Sequence, residues 1–152
     1  MKVYLAADHA GFELKEKVKS FLQKEGYEVE DCGAFQFDQY DDYPDFIGKA
    51  AVGVSKDPLS KGIVFGKSGA GEAIVANKIK GIRAFLGINE ENVRLAREHN
   101  DANVLSLGCV FVTEEQTYEL AKLFLETPFS NEERHKRRIE KIKKIEDQGL
   151  SF

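Results

Sequence analysis

Short apolar runs rich in β-branched residues recur five times along this 152-residue chain, alternating with stretches of helical spacing, and this alternation narrows the possible folds most. The runs are Val3–Ala7, Tyr27–Asp31, Gly62–Phe65, Arg83–Leu86 and Val104–Leu107. Helices are predicted between them near 11–25, 44–56, 70–79 and 89–98, followed by two more near 114–126 and 131–147. In the first helix Leu14, Val18, Phe21 and Leu22 share one stripe, with Lys15, Glu16, Lys19 and Gln23 elsewhere. Gly26 stands where a helix stops in the left-handed conformation that glycine adopts at little cost. Strands separated by helices require right-handed crossovers, which make the sheet parallel and cover both of its faces.

The expected fold class is therefore α/β. It is a three-layer Rossmann-like sandwich around a roughly five-stranded parallel sheet, with an extra C-terminal helix, in a single domain spanning 1–152. Ligands on such sheets bind at the carboxyl ends of the strands. Composition removes several other classes. With 42% hydrophobic and 32% charged residues the chain reads as ordinary globular protein, and a net charge of -4 is ill suited to coating nucleic acid or an anionic membrane. No apolar run approaches the ~18 residues of a membrane span, and Asp8 interrupts what a secretory leader would need to continue. Cys32 and Cys109 lack metal or redox spacing and read as buried thiols in a reducing compartment, so the expected location is the cytoplasm.

Three segments beside the strands carry polar residues. The first strand runs into Asp8-His9-Ala10-Gly11. The third runs into Gly66-Lys67-Ser68-Gly69-Ala70-Gly71-Glu72, whose glycines can turn backbone N–H groups outward toward an anion. A nucleotide P-loop is excluded because Lys61 stands where its first glycine belongs, and the dinucleotide fingerprint fails at Ile74. A plain structural turn and an anion or oxyanion cradle beside Glu72 both remain open. The fourth helix ends in Arg97-Glu98-His99-Asn100-Asp101, where a histidine can simply answer the helix dipole. Only three histidines occur, and His9 and His99 both fall at expected carboxyl ends of strands or in adjoining loops, where an active site belongs. No Cys, Asp or Glu joins them at metal-ligand spacing, so no metal is expected.

Residues 131–148 hold seven Lys or Arg against five acids, while the rest of the chain holds fifteen basic and twenty-one acidic groups. Nucleic-acid contact, a solvated face and a phosphate clamp are all compatible with this basic helix. Arg134 and Arg138 lie four apart on one face that continues through Ile142 and Ile145, which are expected to dock; paired guanidiniums suit a phosphate.

Taken in order, Asp8-His9, Gly69-Ala70-Gly71 with Ala76-Asn77-Lys78, Gly81-Ile82-Arg83-Ala84, Glu98-His99-Asn100-Asp101-Ala102-Asn103 and Arg134-His135-Lys136-Arg137-Arg138 resemble the ribose-5-phosphate isomerase B family, which includes galactose-6-phosphate isomerase subunits. The resemblance covers essentially the whole chain. It implies a cofactor-free aldose–ketose isomerase acting on a small sugar phosphate. It also implies a homodimer with shared active sites, extending in some arrangements to a tetramer, whose C-terminal helix reaches toward the partner. His99 would assist ring opening, Asp8 would contact the sugar, His9, Arg134 and Arg138 would hold the phosphate, and Asn100 would bind a hydroxyl. The backbone of 67–71, including Gly69, Ala70 and Gly71, would stabilise the enediolate together with the Ser68 hydroxyl.

This chain departs from the family pattern at two places. Many members carry a catalytic cysteine at the position of Gly66; a second branch lacks it and uses a glutamate, which Glu72 matches. Val110 stands where an arginine is usual, and Lys67, where glycine is common, is a candidate to supply a cation instead. Interconversion of ribose 5-phosphate and ribulose 5-phosphate is the leading expectation. A six-carbon sugar-phosphate isomerase and a non-catalytic sugar-phosphate-binding protein are the alternatives.

Overall fold

The computed structural model describes residues 1–149. Its elements, in chain order, are β1 (Lys2–Ala7), α1 (Phe12–Lys24), β2 (Glu28–Asp31), α2 (Pro44–Lys56), β3 (Lys61–Gly66) and α3 (Ala70–Ala76). They continue with β4 (Ala84–Leu86), α4 (Glu90–Asn100), β5 (Val104–Gly108), α5 (Glu114–Glu126) and α6 (Glu133–Gln148). The sheet runs β2-β1-β3-β5-β4 and every pairing is parallel, so the expected α/β sandwich is realised.

Side-chain alternation along the strands builds two cores. Val3, Leu5, Ala7, Ile63, Phe65, Leu105 and Leu107 point to the face covered by Val18 and Leu22 of α1, Val93 of α4, and Leu120 and Phe124 of α5. Tyr4, Ala6, Val64 and Val104 point the other way, onto Ile47, Ala50, Ala51 and Val54 of α2 and Ala76 of α3. Burial on both faces is why these strands read as continuous apolar runs. Among the described residues, no helix is long and apolar enough to cross a membrane.

Element ends follow local chemistry. At the end of α1 the Tyr27 N–H donates to Leu22 O at 3.0 Å and the Gly26 N–H to Gln23 O at 3.1 Å, with Gly26 at φ 88°. This Schellman closure turns the chain into β2. Helix α3 stops at Ala76, three residues before its expected end, because the Asn77 side chain pairs with the edge strand. Its Oδ1 accepts the Ala84 N–H at 2.8 Å and its Nδ2 donates to Ala84 O at 2.9 Å, as a neighbouring strand would.

Lys15 corrects the reading of α1. Expected on the polar side, it is fully buried, because positions 15, 18 and 22 form a face of their own. Its ammonium donates to Asp31 Oδ1 at 2.6 Å and Glu16 Oε1 at 2.8 Å, and Asp31 Oδ1 also accepts the Gly33 N–H at 2.9 Å. The pair thus ties α1 to the end of β2 and to the start of the 32–43 loop. Removing Asp31 leaves the buried ammonium with Glu16 alone, whereas replacing Lys15 with an apolar residue of similar length leaves Asp31 paired with Lys19, whose ammonium donates to Asp31 Oδ2 at 2.8 Å. Asp31→Ala is expected to cost roughly 3–5 kcal/mol and Lys15→Met far less, measured by urea unfolding. Equal losses would mean the pair contributes net stability.

Candidate active site

The carboxyl ends of β1, β3 and β5 lie side by side, with Gly66 paired to Gly108. After β1, Asp8 is buried, and its Oδ1 accepts the N–H groups of Ala10 at 3.0 Å and Gly11 at 3.3 Å. His9 is fixed by Asp41, thirty-two positions away in the 32–43 loop. One Asp41 oxygen accepts the His9 backbone N–H at 2.9 Å and lies 2.6 Å from His9 Nδ1. That contact, aided by the charges of Asp8, Asp41 and Asp38 and opposed by burial, raises the His9 pKa above the usual histidine value. The other Asp41 oxygen is buried with no hydrogen-bond partner.

After β3 the chain folds back over the sheet edge. Gly69 sits at φ 79°, its carbonyl accepts the buried Ser106 hydroxyl at 2.6 Å, and a Cβ there would press within 2.6 Å of Leu86 Cδ1. Ser68 Oγ accepts the Ala70 N–H at 3.3 Å, while Lys67, Ser68 and Ala70 are exposed at the rim. Helix α3 then carries Glu72 inward, where only 4% of it is exposed. A Cβ on Gly66 would collide with the Glu72 carboxylate, so the carboxylate fills the volume that a side chain at 66 would take. Burial pushes the Glu72 pKa up and the charge of Asp8 adds to this, while the N–H groups of Glu72 and Gly69 draw it back. The result is a carboxyl group that holds its proton more tightly than an ordinary glutamate, beside a loop of polar donors.

Asp8, His9, Lys67, Ser68, Gly69, Ala70, Gly71 and Glu72 are thus gathered at one sheet edge. His99, Asn100, Arg134 and Arg138 are not. This corrects the sequence-based placement of His99: α4 runs antiparallel to the strands, so its last turn lies where β5 begins, at the amino edge. The five residues of β5 at ~3.3 Å each put about 17 Å between the two edges. His99 meets His135 of α6 there, ring centroids 4.3 Å apart. Arg134 and Arg138 are exposed, and Arg134 Nε donates to Glu132 at 2.7 Å. Ile142 and Ile145, expected to dock, remain 45% and 38% exposed. Near its far end α6 is held to its own chain, Glu146 accepting the Gly81 N–H at 2.9 Å.

Sequence reasoning missed four neighbours of these groups. Asp41 and Tyr43 come from a loop without periodicity, and the Tyr43 ring lies so close to Gly71 that a Cβ there would be 2.8 Å from Cζ. Cys109 places Sγ 3.3 Å from Ala10 O at the join of two strand ends. His135 was read only as part of a basic run; its histidine scarcity was the available signal.

Asp8, His9 and Asp41 offer ligand atoms within 4.8 Å of one another, a cluster that sequence spacing did not reveal. The 2.6 Å contact between His9 Nδ1 and Asp41 leaves room for a proton between them and none for an ion. The donor set fits a hydrogen-bonded pair.

Comparison with known proteins bears on this arrangement. The family profile described as ribose/galactose isomerase matches residues 3–142. Ribose-5-phosphate isomerase B of Mycolicibacterium paratuberculosis is 44% identical over 96% of this chain and 92% of its own length. A probable ribose-5-phosphate isomerase B of Mycoplasma pneumoniae is 39% identical over 92% of this chain and 91% of its own. Among solved structures, ribose-5-phosphate isomerase B of Mycoplasma genitalium with bound ribulose-5-phosphate superposes with a TM-score of 0.93 at 38% identity, covering 97% of both chains. The Clostridium thermocellum enzyme gives 0.92 at 40% identity, over 99% of this chain and 100% of its own. In sequence, in fold and in the polar strand ends described above, the chain belongs to the ribose/galactose isomerase family.

Proposed function

We propose that this protein interconverts ribose 5-phosphate and ribulose 5-phosphate, in the cytoplasm, at sites shared between the two subunits of a homodimer. One observation carries the reading: the buried Glu72 carboxylate, held over Gly66 beside the 67–71 loop with its pKa above the ordinary range. A base whose pKa approaches the working pH moves a carbon-bound proton most effectively. The relatives' names and the ribulose-5-phosphate bound to the Mycoplasma genitalium protein supply the substrate.

In this mechanism Glu72 takes the C2 proton of the open-chain aldose. The resulting enediolate is held by N–H groups of the 67–71 backbone and by the Ser68 hydroxyl, and Glu72 returns the proton to C1. Donors of this kind are each worth ~3–4 kcal/mol of barrier in comparable sites. Asp8 holds the sugar, and the unpartnered Asp41 oxygen is an acceptor left for a bound donor. His9, kept protonated by Asp41, meets the phosphate. Lys67 accepts the Val110 N–H at 3.2 Å through its carbonyl, so its ammonium springs from beside position 110 and can serve as a further cation.

The remaining groups come from a second copy. With about 17 Å of β5 between the edges, one chain cannot bring His99, Asn100, Arg134 and Arg138 to Glu72. A two-fold dimer that sets the amino edge of one subunit over the carboxyl edge of the other completes two equivalent sites. His99 then opens the furanose, Asn100 binds a hydroxyl, and the two arginines clamp the phosphate.

Glu72→Gln is expected to lower kcat about 10³-fold, within the range for a lost general base, while ribose 5-phosphate still binds by calorimetry. Wild-type turnover would refute the base assignment. Refolding Glu72→Gln with His99→Asn as a mixture should restore about a quarter of wild-type activity, since a mixed dimer regains one intact shared site. No recovery would place both groups in one subunit's site. Because Asp41 raises the His9 pKa, Asp41→Asn lets His9 lose its proton at lower pH. The KM for ribose 5-phosphate should therefore rise several-fold at pH 8 and stay near wild type at pH 5.5, where His9 is protonated in both; an equal effect at both pH values would remove His9 from the phosphate site.

A further inference from the structure

Of the chain's three histidines, His135 has no part in the mechanism above, yet it is the most buried of them, with 1% of its surface exposed. A histidine without a job is rarely buried in the first turn of an otherwise exposed, basic helix. Its ring lies against that of His99, centroids 4.3 Å apart and planes tilted by 35°. Its Nδ1 lies 2.6 Å from Ser130 Oγ, which also accepts the Glu132 N–H at 3.3 Å. With that oxygen already accepting, its hydroxyl proton is free to point at Nδ1, and the neutral ring then carries its one N–H on Nε2. The same linker is pinned to α4 by the Ser130 N–H, which donates to Glu98 O at 3.1 Å, one residue before His99.

We propose that His135 is the positioning residue for ring opening: its neutral ring, locked by Ser130, fixes the plane of the His99 imidazole and supports its protonated form. The inference rests on the assignment of ring opening to His99. Opening the furanose breaks the C1–O4 bond. The imidazolium of His99 gives a proton to O4 as that bond's electrons move to oxygen. The O1–H electrons form the C1=O1 bond, and the proton they release restores the imidazolium. His99 must therefore be cationic at the start of each opening and must hold one orientation relative to O4 and O1.

A neutral aromatic face stacked on a cation favours the cation, whereas a charged face would oppose it. The charged or titratable groups facing His135 are His99 on α4, Glu132 at the start of α6, and Arg134 and Arg138 along it. Burial, His99 and the two arginines hold its pKa below the usual histidine value, against the pull of Glu132, which favours the uncharged ring.

The two substrates separate this role from a structural one. Ribose 5-phosphate is mainly cyclic. Ribulose 5-phosphate carries its phosphate on the oxygen that would close a five-membered ring on C2, so it is open-chain and bypasses ring opening. In the full-length protein, His135→Leu should lower the initial rate from saturating ribose 5-phosphate at least tenfold, and by at least five times more than the rate from ribulose 5-phosphate. The alkaline limb of the ribose 5-phosphate profile should move to lower pH, as His99 loses its support. His135→Phe, which keeps a stacking face, should recover most of the loss. Equal losses on both substrates, an unmoved alkaline limb, or no loss at all would overturn the proposal. His99→Asn, measured alongside, tests the underlying assignment separately. If it shows no preferential loss on the cyclic substrate, His99 does not open the ring. If it does and His135→Leu does not, only the positioning role fails.

Discussion

Every strand of this sheet points the same way, and that one constraint determines which polar groups can meet. In a parallel sheet the loop leaving each strand lies at one edge and the loop entering it at the other. Gly66 ends a strand and Asp8 and Cys109 directly follow one; His99 and Asn100 precede one. Nothing in side-chain flexibility can repair a separation of a strand's length, since even an extended lysine reaches only a fraction of it. Glu72 and the donors of the 67–71 loop are thereby separated from His99, Asn100 and the two arginines. In the proposed mechanism a second copy completes the chemistry, and the topology is the reason for invoking it.

At the carboxyl edge the decisive relation is between an absent side chain and a present one. Gly66 leaves a volume at the end of β3, and the Glu72 carboxylate occupies it. The two positions are therefore not independent: a larger residue at 66 would expel the carboxylate, and without Glu72 the space would be void or wet. Occupying that space desolvates the carboxylate and places it within the field of Asp8, which raises its pKa. Such a group favours the folded state less when ionised. The sign is that of a carboxyl whose folded pKa exceeds its unfolded one, so the penalty is full above the folded pKa, fades as pH falls through it and is gone below the unfolded value. A small sacrifice of stability is thereby coupled to a proton acceptor of useful strength.

Much of this was legible in the chain. Helices α2 and α5 fall where periodicity puts them, Gly26 ends α1 as expected, and the strand cores match to within a residue or so, because burial on one or both faces imprints a period. The glycine turn before Glu72 could be located because positive φ demands glycine at 69. What could not be read shares a different cause. Lys15 looks solvent-facing until Asp31 is placed beside it, and Asp41 is invisible as the partner of His9 because it lies thirty-two positions away, in an aperiodic loop. The early stop of α3 depends on a side chain imitating a strand. The edge on which His99 falls is a property of helix direction, which spacing does not encode. Long-range pairing, in each case, outweighed local pattern.

Charge gives the split arrangement a further rationale. The carboxyl edge holds two buried carboxylates, Asp8 and Glu72, with Asp38 and Asp41 close to His9. Alone it is a poor host for a phosphate dianion, because beside Asp8 and Glu72 it offers a histidine hydrogen-bonded to Asp41 and one exposed lysine, Lys67. Yet the acids cannot be dispensed with, since Glu72 is the proposed base and Asp8 shapes the β1 turn. Cations built into the same loops would pair with these carboxylates and depress the pKa of the base. Placing Arg134 and Arg138 on a helix tethered to the opposite edge avoids that conflict. They stay remote from their own Glu72, and in the proposed shared site they meet the phosphate end of the substrate, away from the carbon whose proton is moved. Segregating base and clamp onto different edges lets one small domain keep a weakened acid and a strong anion site without either neutralising the other.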